Sequence, residues 1–192
     1  MKYQKIIQNI DNSVNDNSNN YNDNRIDMST NNITINAIGH ESLEHIQIKK
    51  VIEMITKHKA EGDFDCTKSV YLVAGNMVAD YQKMIREKPE NRNLVVEHEK
   101  RQTAMIKRGE KFELEEVNTA LDDAFRNTSS HFYDKMSEIE ENQKKPFKKG
   151  TKEIHDKVKV LKERGFAPGM LKDEDKVRKK FKVANLEIKS DL

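Results

Sequence analysis

His40, Glu41 and His45 are the residues of this sequence whose types could build a catalytic metal site. A helical zinc-protease motif needs two histidines four residues apart, with the glutamate between them as the base. Here the histidines are five residues apart, and the extra residue turns the second ring about 100° away from the shared helical face. The spacing argues against zinc, and we expect neither a metal ion nor another cofactor.

Two other candidate groups lack the partners that their chemistry requires. Cys66 is the single cysteine, which excludes an internal disulfide framework, and no histidine is placed to activate its thiol. Gly109-Glu110-Lys111 lacks the earlier glycine and the final Ser or Thr of a phosphate-binding loop. We therefore expect a non-enzymatic protein, although a buried cluster of ionisable side chains would favour a hydrolase.

Charge is unevenly distributed along the chain. Residues 144–192 contain 16 Lys or Arg and 8 Asp or Glu, for a net charge of +8, whereas residues 1–143 contain 19 and 25, for a net charge of −6. A lysine-rich segment is typical of an arm that contacts a polyanion, and also of a solvated helical hairpin. Acids are interspersed among these bases, which favours the solvated hairpin.

The first 32 residues are rich in asparagine and contain few apolar side chains. Such a segment cannot bury enough surface to offset the entropy of ordering it, so a disordered tail is predicted over residues 1–32. The apolar runs of the chain are shorter than the roughly 20 residues that span a bilayer. Since residues 1–10 also lack the apolar segment of a signal peptide, we expect an intracellular protein.

Two helices are predicted before Pro89. Apolar residues at i, i+3, i+4 and i+7 from Ile48 indicate an amphipathic helix over residues 41–59, after a short strand or extended lead-in at residues 31–38. The second helix is expected to end at Pro89. Its predicted apolar face is Val70, Ala74, Met77, Tyr81 and Met84 or Ile85.

Residues 89–117 do not follow a helical period and predict a meander of three short strands. Gly109 suits the hairpin turn because it takes positive φ without a Cβ penalty. Pro89 precedes two asparagines that can bond nearby backbone and fix the start of the first strand. The strands are placed at residues 93–97, 102–107 and 111–115. The residues with a predicted structural role are Pro89, Asn91, Asn93 and Gly109.

The helical period returns near Glu116 and predicts a long amphipathic helix to about residue 143. Two shorter helices around a Gly-Pro turn then predict a basic hairpin, either docked on the core or mobile beside it. Together the elements predict a helix-rich α+β fold, in which a three-stranded antiparallel meander packs on about three helices. The chain divides into a tail (1–32), an α+β core domain (33–143) and a basic helical appendage (144–192).

Two groups of basic residues are candidate nucleic-acid contacts. Two helices followed by a strand and a hairpin are arranged like a winged-helix module, in which a basic hairpin tip contacts phosphate. Asp80 lies among the bases of the second helix, so sequence-specific readout is not expected. Contacts from the C-terminal bases would be non-specific and salt-dependent. The candidate residues are Lys107, Arg108, Lys111, Lys144, Lys145, Lys148, Lys149, Arg178, Lys179, Lys180 and Lys182.

The strings NITINAIGHESLEHI (residues 32–46) and KPENRNL (residues 88–94), with the strands that follow, carry a resemblance. They resemble an uncharacterised module of proteins from mimivirus-like giant nucleocytoplasmic DNA viruses of amoebae. The resemblance covers about residues 31–140 and implies a PEN-x-N strand start, a hairpin and a long helix. That module often follows a zinc finger, which the Asn-rich tail replaces here, and Phe112 stands where tryptophan is expected.

The resemblance implies a viral accessory or interaction protein of the host cytoplasm, the viral factory or the virion, and it carries over no catalytic residue. One functional hypothesis is non-specific association with DNA or RNA through the basic C-terminal region. The alternative is a purely protein-binding or virion-packaged module that docks a viral or host protein. No membrane contact is expected. The docking face would be Phe147, Phe166, Met170 and Phe181.

Overall fold

Five α-helices and one three-stranded antiparallel sheet make up the described part of the chain, which confirms the helix-rich α+β prediction. The computed structural model describes residues 34–60, 70–96, 102–143, 147–166 and 174–186. The predicted tail, Cys66, Lys144, Lys145 and Met170 lie outside these ranges. None of the helices in the described ranges has both the length and the apolar character needed to cross a membrane.

Two helices come first in the chain, followed by three strands and then by three more helices. A single 3-10 turn, Pro89–Asn91, precedes the first strand. The helices are α1 (Ile48–Ala60), α2 (Val70–Ile85), α3 (Val117–Gln143), α4 (Lys149–Arg164) and α5 (Glu174–Asn185). The strands are β1 (Leu94–Val95), β2 (Thr103–Arg108) and β3 (Lys111–Glu116), in the sheet order β1-β2-β3.

Helix α2 is the centre of the helical layer, because it packs against all four other helices. Its apolar residues surround the helix instead of forming one stripe, a pattern typical of a buried helix. The comparison with a winged-helix recognition helix is therefore wrong, since little of α2 is accessible to a nucleic acid. Its buried residues include Val73, Ala74, Met77, Val78 and Tyr81.

Gly75 allows α5 to approach α2 closely. A Cβ atom at this position would lie 2.6 Å from Cγ1 and 2.8 Å from Cγ2 of Val177. We expect Gly75→Ala to lower the free energy of unfolding by about 1 to 2 kcal/mol, because the overpacking cost exceeds the gain in helix propensity. Urea denaturation measures this change. Adding Val177→Ala should recover part of the lost stability. A Gly75→Ala variant with an unchanged free energy of unfolding would contradict the close approach of α5 to α2.

The C-terminal helices are docked on the core, which settles an alternative that the sequence left open. The ring of Phe166 stacks on Phe125 with 3.9 Å between centroids, and Phe181 meets Phe125 edge-on at 5.1 Å. The described residues from 34 to 186 fall in one compact unit. The predicted exposed docking face is wrong, because Phe166 and Phe181 are only 1% and 0% exposed.

Helix α1 begins at Ile48 and not at residue 41, so the first part of the predicted helix is wrong. The backbone N–H of Ser42 donates to Oδ1 of Asn91 at 2.9 Å, and the carboxylate of Glu41 binds side chains of other segments. These long-range bonds hold residues 41–47 in an irregular path. A local helical period cannot reveal such competition.

The two faces of the sheet differ in what covers them. Ala104 and Ile106 of β2 are buried on the core face, together with Leu94 of β1. Phe112 and Leu114 do share one side of β3, as predicted, but this is the outer side, and Leu114 is 72% exposed. The meander therefore packs on the helices mainly through β1 and β2.

Candidate functional site

Of the predicted bases at the hairpin tip, Arg108 is paired with two acids. Arg108 donates to Asp123 and Glu115, and these two bonds raise the pKa of its guanidinium. Lys107 donates to the carbonyl of Glu110, with its ammonium 5.6 Å from the centroid of the Phe112 ring. Of the three predicted tip bases, only the third, Lys111, is fully exposed. The candidate phosphate contact at this tip is therefore weakened by local pairing.

Two of the four predicted bases on α5 attach this helix to the core. Arg178 lies 4.4 Å above the ring of Phe166, a buried core residue, and it also donates to Glu174 at 3.0 Å within α5 itself. Lys180 donates to Asp80 at 2.9 Å. Lys179 is exposed, while the fourth, Lys182, is half-buried. Because the first pair already has acidic and aromatic partners, these side chains stabilise the docking of the hairpin.

Asp80 joins α1, α2 and α5. Its carboxylate accepts hydrogen bonds from His58 at 2.9 Å, Lys83 at 3.0 Å and Lys180 at 2.9 Å. Partial burial alone would raise the pKa of Asp80, but the bonds from His58, Lys180 and Lys83 outweigh it and hold the pKa well below its ordinary value. Asp80, whose negative charge argued against α2 as a nucleic-acid-binding helix, therefore anchors α5.

The start of α4 carries a cluster of exposed lysines. Lys148 and Lys149 are exposed, and so is Lys152 one turn later. The first turn of α4 contains no acid and Lys148 provides no side-chain cap, so the partial positive charge of the helix N-terminus adds to that of the lysines. Lys59 reaches this end of α4 from α1 and donates to Thr151 at 2.9 Å.

We call Lys59, Lys148, Lys149 and Lys152 the basic corner. Lys148 and Lys149 are two of the predicted contacts. Lys152 was missed, although the helical period places it on the same side as Lys148 and Lys149. Lys59 was missed because it lies 92 residues before its partner Thr151 in the chain, and only the packing of both α1 and α4 on α2 brings it here.

Glu41 is the centre of a buried polar cluster. Its Oε1 accepts from Asn93 at 2.7 Å, and its Oε2 accepts from Asn127 at 2.9 Å and lies 3.1 Å from Nε2 of His131. Only 5% of the glutamate side chain is exposed. Burial would raise the pKa of Glu41, but the bonds from His131, Asn93 and Asn127 outweigh it and keep the pKa below its ordinary value.

Asn91, which is 0% exposed, ties the same segment to α2. Its Oδ1 accepts from Nδ2 of Asn36 and from the N–H of Ser42, both at 2.9 Å. Its Nδ2 donates to the carbonyls of Ser42 at 2.7 Å and Ile85 at 3.0 Å. The second carbonyl is at the end of α2, so Asn91 caps that helix. Pro89, which was predicted to end α2, instead begins the 3-10 turn.

The clusters of ionisable groups do not assemble a hydrolytic site in the described residues. The Glu41 carboxylate is held ionised among amide and imidazole groups, with no hydroxyl or thiol in hydrogen-bonding contact. A second pair, Ser137 and His155, is 3.2 Å apart, but the hydroxyl donates to the carbonyl of Tyr133 within α3. No group of three or more His, Cys, Asp or Glu in the described ranges is arranged to bind a metal ion.

Asn93 and Gly109, the remaining residues with a predicted structural role, lie at the start of β1 and in the hairpin turn. Asn93 is 1% exposed, and its carbonyl accepts the N–H of Lys107 at 2.7 Å, so it fixes the start of β1 against β2. Gly109 has φ of +56° in the hairpin turn between β2 and β3, a backbone region that favours glycine.

Comparisons with protein-family models, with curated proteins and with solved structures find no match for this chain.

Proposed function

We propose that this protein is a non-enzymatic accessory protein that associates non-specifically with nucleic acid through the basic corner. The observation that carries the proposal is the exposure of Lys148, Lys149 and Lys152 at a helix N-terminus. Exposed ammonium groups and a helix N-terminus both attract phosphate. The resemblance of residues 31–140 to the giant-virus module supports a viral setting.

The chemistry of the basic corner favours phosphate over base recognition. Lysine presents a compact, strongly hydrated charge on a flexible stem, which suits contact with any phosphate backbone. Base-edge readout needs an element that fits a groove of the nucleic acid. The recognition helix of the winged-helix comparison, α2, is largely buried. DNA and RNA are therefore both expected to bind, with affinity set by ionic strength.

A triple variant, Lys148→Gln, Lys149→Gln and Lys152→Gln, tests this function in the full chain. We expect the magnitude of the slope of log Kobs against log salt for duplex DNA to fall by about 2.7, from about 0.9 for each lost phosphate contact. Fluorescence anisotropy with labelled DNA, and with RNA in parallel, measures the slope. Circular dichroism and urea unfolding establish that the variant is folded.

The matched control removes three lysines at other places: Lys49, Lys50 and Lys176. These side chains are also exposed, so the net charge falls equally while the basic corner stays intact. The control should keep most of the wild-type slope. Equal losses in both variants would assign binding to the overall charge, and an unchanged slope in the basic-corner variant would overturn the proposal.

A protein-binding function is the second candidate. The specific observation that favours it is Leu114, a large apolar side chain that is 72% exposed on the outer face of the sheet. This surface replaces the predicted docking face around Phe166 and Phe181, both of which are buried.

A further inference from the structure

Strand β3 is an open edge of the sheet. It pairs with β2 over its whole length, and its other side has no strand neighbour in the described residues. An open edge offers its unpaired N–H and C=O groups to another strand. Six residues are enough to accept one, since strands in globular proteins commonly have about five or six residues.

The backbone alternation identifies which groups of β3 face outward. Partners in an antiparallel pair alternate between hydrogen-bonded and non-hydrogen-bonded positions. The N–H of Val117 donates to the carbonyl of Gln102 at 2.7 Å, so every second residue back along β3, including Glu113, is bonded to β2. The N–H and C=O groups of Phe112 and Leu114 therefore point away from β2.

Lys111 and Glu113 carry the unpaired charges of this edge. They lie on the same face of β3, because side chains two residues apart in a strand share a face. Both are exposed, and neither has an ion-pair partner among the described residues. The next residue of that face, Glu115, already accepts from Arg108 at 2.9 Å. The edge thus presents one positive and one negative charge two residues apart.

An antiparallel second copy of β3 has three symmetric registers that match the outward groups, centred on residue 112, 113 or 114. Centred on Leu114, the pairing sets Glu113 against Glu115. Centred on Glu113, it sets that residue against itself, while Lys111 meets Glu115, which already has a partner. Centred on Phe112, it sets Glu113 against Lys111 on both sides of the two-fold axis. Opposite charges facing each other stabilise a sheet and like charges destabilise it, so the charges favour the last register.

The apolar side chains suit the same register. Phe112 faces its own copy at a hydrogen-bonded position, where the two residues exchange both backbone bonds. Leu114, which is 72% exposed, lies diagonal to Phe112 of the second copy, within reach of the aromatic ring. Lys111 and Glu113 meet at the non-hydrogen-bonded positions, where the Cα atoms are only about 4.5 Å apart.

From the outward groups and the charges, we infer that two copies of this chain pair antiparallel through their β3 edges, centred on Phe112, and form a symmetric dimer with one continuous sheet. The same surface serves both copies, as in other two-fold interfaces. A single strand pair is a small contact, and interfaces below about 1,200 Å² belong to weak complexes, so the dimer forms reversibly at high protein concentration. The edge shares no residue with the basic corner, and the inference does not depend on nucleic-acid binding.

The first test is sedimentation equilibrium of the full chain from about 10 µM to 1 mM. The weight-average mass of the wild type is expected to rise from monomer toward dimer over this range. Lys111→Glu and Glu113→Lys are each expected to weaken dimerisation by about tenfold, because each sets two pairs of like charges opposite each other. Circular dichroism establishes that these exposed substitutions leave the chain folded.

The second test exchanges the charges. An equimolar mixture of the Lys111→Glu and Glu113→Lys chains restores both complementary pairs, and so does the double variant on its own; each is expected to recover the wild-type affinity. In a register centred on Glu113, the double variant would still have like charges opposite each other at position 113. A wild type that stays monomeric up to 1 mM would overturn the inference, and so would a failure of both combinations to recover dimerisation.

Hydrogen exchange locates the interface. The Phe112 amide should become protected as the protein concentration rises, whereas the Glu113 amide is bonded to β2 at every concentration. Leu114→Thr should weaken the dimer by about threefold. Val183→Thr is the matched control, because Val183 is the other exposed large apolar residue of the described ranges, at 44%. Protection of the Phe112 amide that does not depend on concentration would overturn the inference, as would a dimer that the control weakens and Leu114→Thr does not.

Discussion

Asn91→Ala is expected to lower the free energy of unfolding by about 4 kcal/mol. The change removes four hydrogen bonds from a side chain that is 0% exposed. It leaves the N–H and C=O of Ser42 and the C=O of Ile85 without this partner, and each unsatisfied buried group costs about 1 to 3 kcal/mol. Urea denaturation monitored by circular dichroism measures the change.

Asn91→Asp tests the loss of the two donated hydrogen bonds at almost unchanged side-chain volume. The aspartate has nearly the same shape but offers no donor to the carbonyls of Ser42 and Ile85, so we expect it to be at least as destabilising as alanine. Asn118→Ala is the control, because Asn118 is exposed and bonds only locally to Glu116; it should change stability by less than about 0.5 kcal/mol. A loss below about 1 kcal/mol for Asn91→Ala would contradict the role of this residue as an anchor.

Glu41→Ala is expected to lower the free energy of unfolding by about 3 kcal/mol at neutral pH. A charge that is 95% buried and bonded by three side chains leaves those donors without an acceptor when it is removed. Glu41→Gln keeps the size of the side chain but not the charge, so it isolates the electrostatic part of the effect. Glu141→Gln on the exposed face of α3 is the matched control.

The contribution of Glu41 to the free energy of unfolding should decrease as the pH falls. Because its folded-state pKa lies below the ordinary value of 4.5, the contribution of the ionised carboxylate is fully present above pH 4.5 and is lost as the pH falls through the folded pKa. The stability difference between wild type and Glu41→Gln is therefore expected to be largest at neutral pH and to shrink in acid. A difference that stays constant from neutral to acidic pH would contradict the ionised, hydrogen-bonded state of Glu41.

These two residues act on the same segment. Asn91 and Glu41 attach residues 34–47 to the sheet, to the end of α2 and to α3. Loss of either bond set therefore weakens the attachment of a segment whose apolar contacts come from Ile38, Leu43 and Ile46.

Much of the fold was predictable because it depends on local periodicity. The apolar face proposed for α3 is buried along its length, from Val117 to Ile139. The turn at Gly109 and the order of the three strands also follow from local signals. In each case the information needed lies within a few residues of the element that it specifies.

Local periodicity could not predict the long-range hydrogen bonds of Asn91 and Glu41, nor the burial of the C-terminal aromatic residues. Glu41 reaches partners 52 to 90 residues away in the chain, and a lone glutamate at an apparent helix start gives no sign of them. Phe166 and Phe181 lie in a segment dominated by lysine, and they are buried because they stack on Phe125. Hydrophobicity alone does not distinguish such residues from a docking face.

The sequence by itself determined the helix-rich α+β class, the meander and the excess of lysine in residues 144–192, because composition and period are local properties. Only the tertiary structure decided which lysines are accessible and which face of the sheet is left open. Lys180 is bonded to Asp80, 100 residues away in the chain, while Lys148 and Lys149 stay exposed. The physical reason is that pairing and burial depend on residues far apart in the chain, which meet only when the helices pack.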